Sequence, residues 1–327
     1  MGERYDKPHL SFEGQLEKLE ARGLHVENRS EALESLRRIG YYRLSAYLHT
    51  LREVSHKSDS RHDERLDTYM AGSTFGLVLQ LWRFDRRLRL DVLDALEQIE
   101  VAFRTSLAYQ AGLLHPFIHH HPELLAREFT QQPGTMSLDR MSGYDRWLVR
   151  YLERVERSTD EAFVMWFSHK YDGQLPIWVA TELLEFGQSS RLLQGLPLAQ
   201  RRMIASDFGV QEPKTFSSWI ASFNGLRNVA AHHSRLWNRS LTSVARRPKE
   251  GQIDILDHLH ALDDVARVKV YAPLAMSAWL LRDTGEGHAW AHRLLSTLDS
   301  FPALPQGSLA NAGFPVGWRD LELWKMF

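Results

Sequence analysis

From Ser73 or Thr74 to Ala111 the apolar residues Leu77, Leu81, Phe84, Leu88, Val92, Ala95, Ile99, Ala102 and Phe103 recur mostly at three- and four-residue steps. That period belongs to a helix, so the stretch predicts one long helix, straight or kinked, as the backbone of the fold. The rest of the chain reads the same way. Ser11 caps a helix over residues 13–21 that turns Phe12, Leu16 and Leu19 inward and stops at Gly23. A second helix runs over residues 30–39 and a third from Tyr41 towards Leu51, with Tyr41, Tyr42 and Tyr47 expected in the core with their hydroxyls satisfied.

Further helices are expected over 144–170 with a break near Ser158–Asp160, and over 176–187 with Pro176 in the first turn and Gly187 as C-cap. Others follow over 189–195, 198–208, 214–237, 259–283 (kinked at Pro273) and 286–298. Residues 55–72 and 113–142 read as loops, and no repeat or clear strand is found. The fold class is therefore all-α. Residues 1–300 are expected to form one domain, with an N-terminal helical part over 1–72 and a core over 73–300. The tail 301–327 is rich in Pro, Gly and Ala, yet Trp318 and Trp324 suit it to docking.

The chemistry concentrates in Phe223-Asn-Gly-Leu-Arg227-Asn228-Val-Ala-Ala-His232-His233-Ser-Arg235-Leu-Trp-Asn238. Phe223, Leu226, Val229, Ala230 and Ala231 keep the helical period, so the polar groups stand on a stiff scaffold. At about 100° per residue, Asn228 and His232 share a face while Arg227 and His232 lie about 140° apart. An imidazole can take a proton from a ribose 2′-hydroxyl or return one to a leaving 5′-oxygen, and a guanidinium can hold the phosphate between them. One such wedge is half a site; a second copy across a two-fold axis would complete it.

Arg227-Asn228 followed at 232 by His resembles the arginine–histidine signature of the HEPN ribonuclease superfamily. The longer run RNVAAHHSRLWN resembles the hallmark of its Abi-like (abortive infection) family. KPHLSFEGQLEKLEARGL, LRRIGYYRLSAY, FDRRLRLDVLDALEQIEVAFR and LPIWVATELLEFGQSSRLL are similar to the same family, so the likeness spans about residues 7–283. It implies a multi-helix HEPN-type bundle with a helical N-terminal extension, homodimerisation, and metal-independent endoribonuclease activity in antiviral defence. In some relatives a small noncoding antitoxin RNA is a partner. On this reading His232 is the acid/base group, Arg227 the phosphate clamp, and Asn228 orients His232 or the substrate. His233, which can stand in for His232, joins Arg235, Asn238, Arg104 and Arg86 as supporting or RNA-binding residues. The competing readings are a polar cluster that caps the helix and stabilises a dimer, a non-catalytic RNA-binding module, and a nucleotidyl-accepting toxin.

Four other groupings are weaker. Asp94, Glu97 and Glu100 share a helix face but have arginines nearby as ordinary ion partners. Arg83, Arg86, Arg87 and Arg89 form a phosphate-facing patch or, by preference, a solvated or dimer-facing stripe. His115, His119, His120 and His121 lie between prolines without metal-ligand spacing and read as surface histidines, so no metal or cofactor is expected. Arg239, Arg246, Arg247 and Lys249 form a basic connector, equally a solvated loop or an extension of an RNA surface.

Composition excludes other classes. None of the 327 residues is cysteine, so thiolate chemistry and disulfides are out. A formal net charge of −1 means that RNA contacts must come from a local patch, not from a whole-chain field. The start has no apolar signal core, Asp6 stands where an N-myristoylation motif has Ser or Thr, and no apolar run spans a membrane. A cytoplasmic protein is expected.

Overall fold

The computed structural model describes residues 6, 8–55, 64–131 and 141–327; the myristoylation reading at Gly2 and the loop readings over 56–63 and 132–140 lie outside them. The chain opens with α1 (Phe12–Ala21), α2 (Arg29–Ile39) and α3 (Tyr41–Leu48), then β1 (Arg52–Ser55), β2 (Glu64–Tyr69) and the long α4 (Phe75–Gly112). Shorter helices follow: α5 (Arg127–Thr130), α6 (Gly143–Arg157), α7 (Ala162–Tyr171), α8 (Ile177–Leu183), α9 (Phe186–Gly195) and α10 (Leu198–Asp207). Then come α11 (Pro213–Ala231), α12 (Tyr271–Leu281), α13 (Gly285–Asp299) and α14 (Glu322–Lys325). The fold is predominantly all-α.

Thr74 starts α4 by accepting a hydrogen bond from the Leu77 N–H at 3.1 Å. Its 38 residues make a rod about 57 Å long. Phe84, Leu88, Val92, Ile99, Phe103 and Leu107 are buried along it, because α3 and α8 to α13 all pack against this one helix. A rod contacted from so many sides explains why its apolar period spreads beyond a narrow stripe. Gly40 separates α2 from α3 with φ 90°, a conformation that side chains disfavour, so two helices meet there at a sharp corner.

Several expectations change. The 55–72 region is not all loop: β1 and β2 pair antiparallel, with Arg52 opposite Tyr69 and Val54 opposite Arg65, and a bulge between Arg52 and Val54. Its strands are short and polar, so no alternation marks them. The pairing is anchored from outside, by Tyr69 N–H to Arg22 C=O at 2.9 Å and Met70 N–H to Leu51 C=O at 3.0 Å. Phe12 lies outside the core beside the Arg37 guanidinium, and Tyr42 is 90% exposed, whereas Tyr47 is buried as expected. The helix over 176–187 breaks at Leu184; Gly187 sits in the first turn of α9, where a Cβ would come within 3.3 Å of the Asn224 amide. The kink expected at Pro273 is not formed. That proline sits in the first turn of α12, where it costs no hydrogen bond, and 3₁₀ turns precede it. The tail packs on the core. Phe301 meets Phe84 edge-on at 5.0 Å, the Trp237 indole N–H donates to Ser308 C=O at 3.1 Å, and Leu323 and Trp324 are buried.

Candidate functional site

Helix α11 carries the signature. Pro213 opens it, Glu212 accepts from the Lys214 N–H at 3.2 Å, and Phe216, Trp219, Ile220, Phe223, Leu226 and Ala230 bury its inner face. Connector residues 243–246 cover a second flank: Ser222 Oγ donates to Ser243 C=O at 2.8 Å and the Trp219 indole to Arg246 C=O at 2.7 Å. What remains uncovered is an edge that ends in Arg227 and His232, both exposed, with Asn228 half-buried between them.

The helix does not run to Trp237 as its period suggests. It ends at Ala231 with His232 as C-cap. His233 takes φ 57°, its N–H donates to Ala230 C=O at 3.0 Å, and Ser234 N–H reaches back to Val229 C=O at 3.1 Å. This is the Schellman closure, with histidine in the left-handed position that glycine usually fills.

The chain turns because its next residues are seized by α4. Asp85, fully buried, accepts from the Leu236 N–H at 3.0 Å, the Trp237 N–H at 2.6 Å and the Tyr47 hydroxyl at 2.6 Å, and pairs with Arg89 one turn on. Arg89 also donates to the Tyr47 oxygen at 3.2 Å. Burial pushes the Asp85 carboxyl upward, while the Arg89 charge and the donated hydrogen bonds pull it back. Sequence reasoning passes over Asp85. Its readable signal is an acid on the apolar face of α4, between Leu81 and Leu88.

The knot also fixes the supporting residues. Arg235 is half-buried and donates to Ala46 C=O in α3. Asn238, with φ 55°, offers Oδ1 to Lys269 Nζ at 3.4 Å. Of the basic stripe, Arg89 is interior, Arg83 pairs with Glu31 at 2.9 Å, Arg87 donates to Ser300 Oγ at 2.8 Å, and Arg86 is exposed. Arg86 precedes Glu100 by about 21 Å along α4 and is not brought to Arg227 within one chain. In the connector, Arg247 donates to Leu259 C=O at 3.0 Å, while Arg239, Arg246 and Lys249 are exposed.

On α4, Arg104 stands one turn after Glu100, the carboxylate that feels the Arg227 charge. Arg104 pairs with Glu100 and donates to Leu184 C=O at 2.7 Å, where its charge complements the C-terminal end of α8. Burial raises the Glu100 carboxyl; the nearby Arg104 and Arg227 guanidiniums lower it, and Glu97 raises it again. Glu100 is thus the acidic neighbour of Arg227. Asp94, from the same acidic row, pairs instead with Arg293 of α13.

The histidine tract departs from a surface reading at one position. His119 is fully buried, edge-on to Tyr151 at 5.1 Å, and neither ring nitrogen has a hydrogen-bond partner among the described residues. Burial, with help from His120 and His121, pushes its pKa down to about 3. His121 meets Glu123 at 2.8 Å and His115 accepts from the Phe117 N–H at 3.1 Å. Among the described residues no group of three His, Cys, Asp or Glu is placed to hold a metal ion.

Residues 34–238 match the sequence pattern that defines the Abi-like proteins. The chain belongs to the Abi-like protein family. The matched span covers more than half of the 327 residues, starts in α2 and closes at Asn238. It therefore takes in the whole Asp85 knot and the Arg227–His232 edge of this Abi-like chain, but not residues 7–33 or 239–283, where a likeness is also expected. No curated protein and no solved structure matches the chain. Family membership points to a role related to abortive infection. No helix among the described residues is long and apolar enough to cross a membrane.

Proposed function

We propose that this Abi-like protein is a HEPN-type, metal-independent endoribonuclease that acts in antiviral defence as a toxin held in check by a partner. The reading rests on one observation: Arg227 and His232 are both exposed at the end of α11, while Leu226, Ala230, Leu236 and Trp237 around them are locked in the core. A polar edge on so rigid a mount keeps its geometry when substrate arrives, which is where much of a catalyst's advantage lies.

In the proposed reaction His232 removes the ribose 2′-hydroxyl proton and the freed oxygen attacks the adjacent phosphorus. The bond to the 5′-oxygen breaks, and that oxygen takes a proton from a second imidazole. The products are a 2′,3′-cyclic phosphate and a 5′-hydroxyl end. Arg227 binds the phosphate oxygens and offsets the charge that builds on them. One chain presents one His232, so a second copy across a two-fold axis supplies the acid, and the working form is a homodimer. Asn228, one turn before His232, orients the imidazole or the ribose.

The test is cleavage of single-stranded RNA by purified protein in EDTA, with end-group analysis and light scattering. Cyclic-phosphate ends, lost in Arg227→Ala and His232→Ala while the dimer persists, are expected. RNA that is bound and left intact by the wild-type protein overturns the nuclease reading in favour of a binding module.

A further inference from the structure

Beside Glu100 and Arg104, the last turns of α4 and the exposed side of α8 enclose a groove of about 510 Å³. Its walls include Arg104, Tyr109, Gly112, Trp178, Thr181 and Glu182. Two aromatic side chains stand open in it, Tyr109 at 65% and Trp178 at 51% exposure. The indole is braced against α4: at Gly112 an added Cβ would already touch its six-membered ring, at 3.4 Å, so the ring lies close along the glycine backbone. Deeper in the wall, Thr181 is 1% exposed and its hydroxyl has no hydrogen-bond partner among the described residues. The Arg104 Nε–H is also buried there without an acceptor among the described residues.

An apolar groove with unsatisfied hydrogen-bonding groups asks for a flat ligand that is apolar on its faces and polar at its edge. The charges narrow the choice. Arg104 is already neutralised by Glu100, and Glu182 stands exposed at the rim, so a phosphate would meet more repulsion than attraction here. A carboxylate at the rim instead accepts from an amino group. We infer that this groove is a nucleobase-binding subsite, in which an unpaired base bearing an exocyclic amino group stacks on Trp178 and Tyr109 and is read by Thr181, Arg104 and Glu182. The inference rests on the reading of this chain as an RNA-acting protein. Glu100 pairs with Arg104 and also feels the Arg227 charge, and Tyr109 is about 14 Å beyond Glu100 along α4. A strand whose phosphate sits at Arg227 can therefore place a nearby base in the groove.

Binding is measured on the full-length protein by fluorescence polarisation with labelled 2′-O-methyl oligonucleotides, which His232 cannot cleave, so the result does not depend on catalysis. Adenine oligomers are expected to bind more tightly than uracil oligomers. Trp178→Ala weakens the adenine oligomer roughly tenfold or more, Trp178→Phe retains it, and Thr181→Val narrows the difference between the two bases. Adenosine monophosphate serves as competitor. If it displaces the oligomer at comparable concentration the source is a free nucleotide, and if only oligomers compete the source is an RNA strand; equal affinity for adenine and uracil oligomers overturns base recognition in either case. Unchanged affinity in both Trp178→Ala and Thr181→Val overturns the inference. So does a Trp178→Ala protein that becomes monomeric with RNA affinity intact, since the groove is then a subunit contact. A wild-type protein that fails to cleave RNA yet shows the Trp178 and Thr181 effects sinks the nuclease reading alone.

Discussion

The two ends of the stretch from Arg227 to Asn238 sit in opposite surroundings. Leu236 and Trp237 donate their backbone N–H groups to a carboxylate that sees no solvent, whereas Arg227 and His232 stand in the open. One end is committed to the fold and the other is kept from it. A short motif rich in Arg, His and Asn is thus two devices in series: a latch that sets the backbone, and an edge that the latch holds still. Residue type alone does not separate them, because each end carries an arginine.

The contrast breaks most visibly at Asp85. Asp85→Ala strips the buried Arg89 of its counter-charge and leaves two buried backbone N–H groups without an acceptor, and the expected loss is about 3–5 kcal/mol in chemical denaturation. Asp85→Asn keeps one acceptor and loses less. If Asp85→Ala unfolds like wild type, the latch is not structural.

At the open end the order reverses. Arg227→Ala and His232→Ala are expected to change unfolding free energy by no more than about 0.5 kcal/mol. RNA cleavage should fall by about 10²–10⁴-fold in the His232 variant. A large stability loss at either position would make them part of the core.

A buried histidine sharpens the same comparison. His119 is buried neutral, its pKa pushed from 6.5 to about 3. Because the folded value is the lower, the stability it confers is present above pH 6.5 and is lost as pH falls towards 3. The loss amounts to roughly 1.4 kcal/mol per pH unit at its steepest. His119→Leu should flatten the acid limb of a stability–pH curve.

The smallest effect falls at the junction. His233 holds a left-handed conformation, so His233→Gly should stabilise the protein by up to about 1 kcal/mol. If His232 is the working imidazole, His233→Gly retains RNA cleavage; loss of cleavage would transfer the role to His233.

The apolar period predicts α4 to within a residue or two at each end, Ser11 caps the first helix as expected, and the helical class follows. Those features are local: a helix needs only its own backbone and a face to bury. The hairpin is not legible, since its strands borrow partners from Arg22 and Leu51 and carry little alternation. Nor is the stop at Ala231. The period continues through Leu236 and Trp237, and only Asp85, about 150 residues away in the chain, gives their N–H groups a better acceptor than the next helical turn. Local chemistry along the chain thus sets which residues are helical and where the reactive side chains cluster. Packing of distant segments then selects which of those side chains the fold consumes and which are left to meet a ligand, because a buried donor must find its partner wherever the chain happens to bring one.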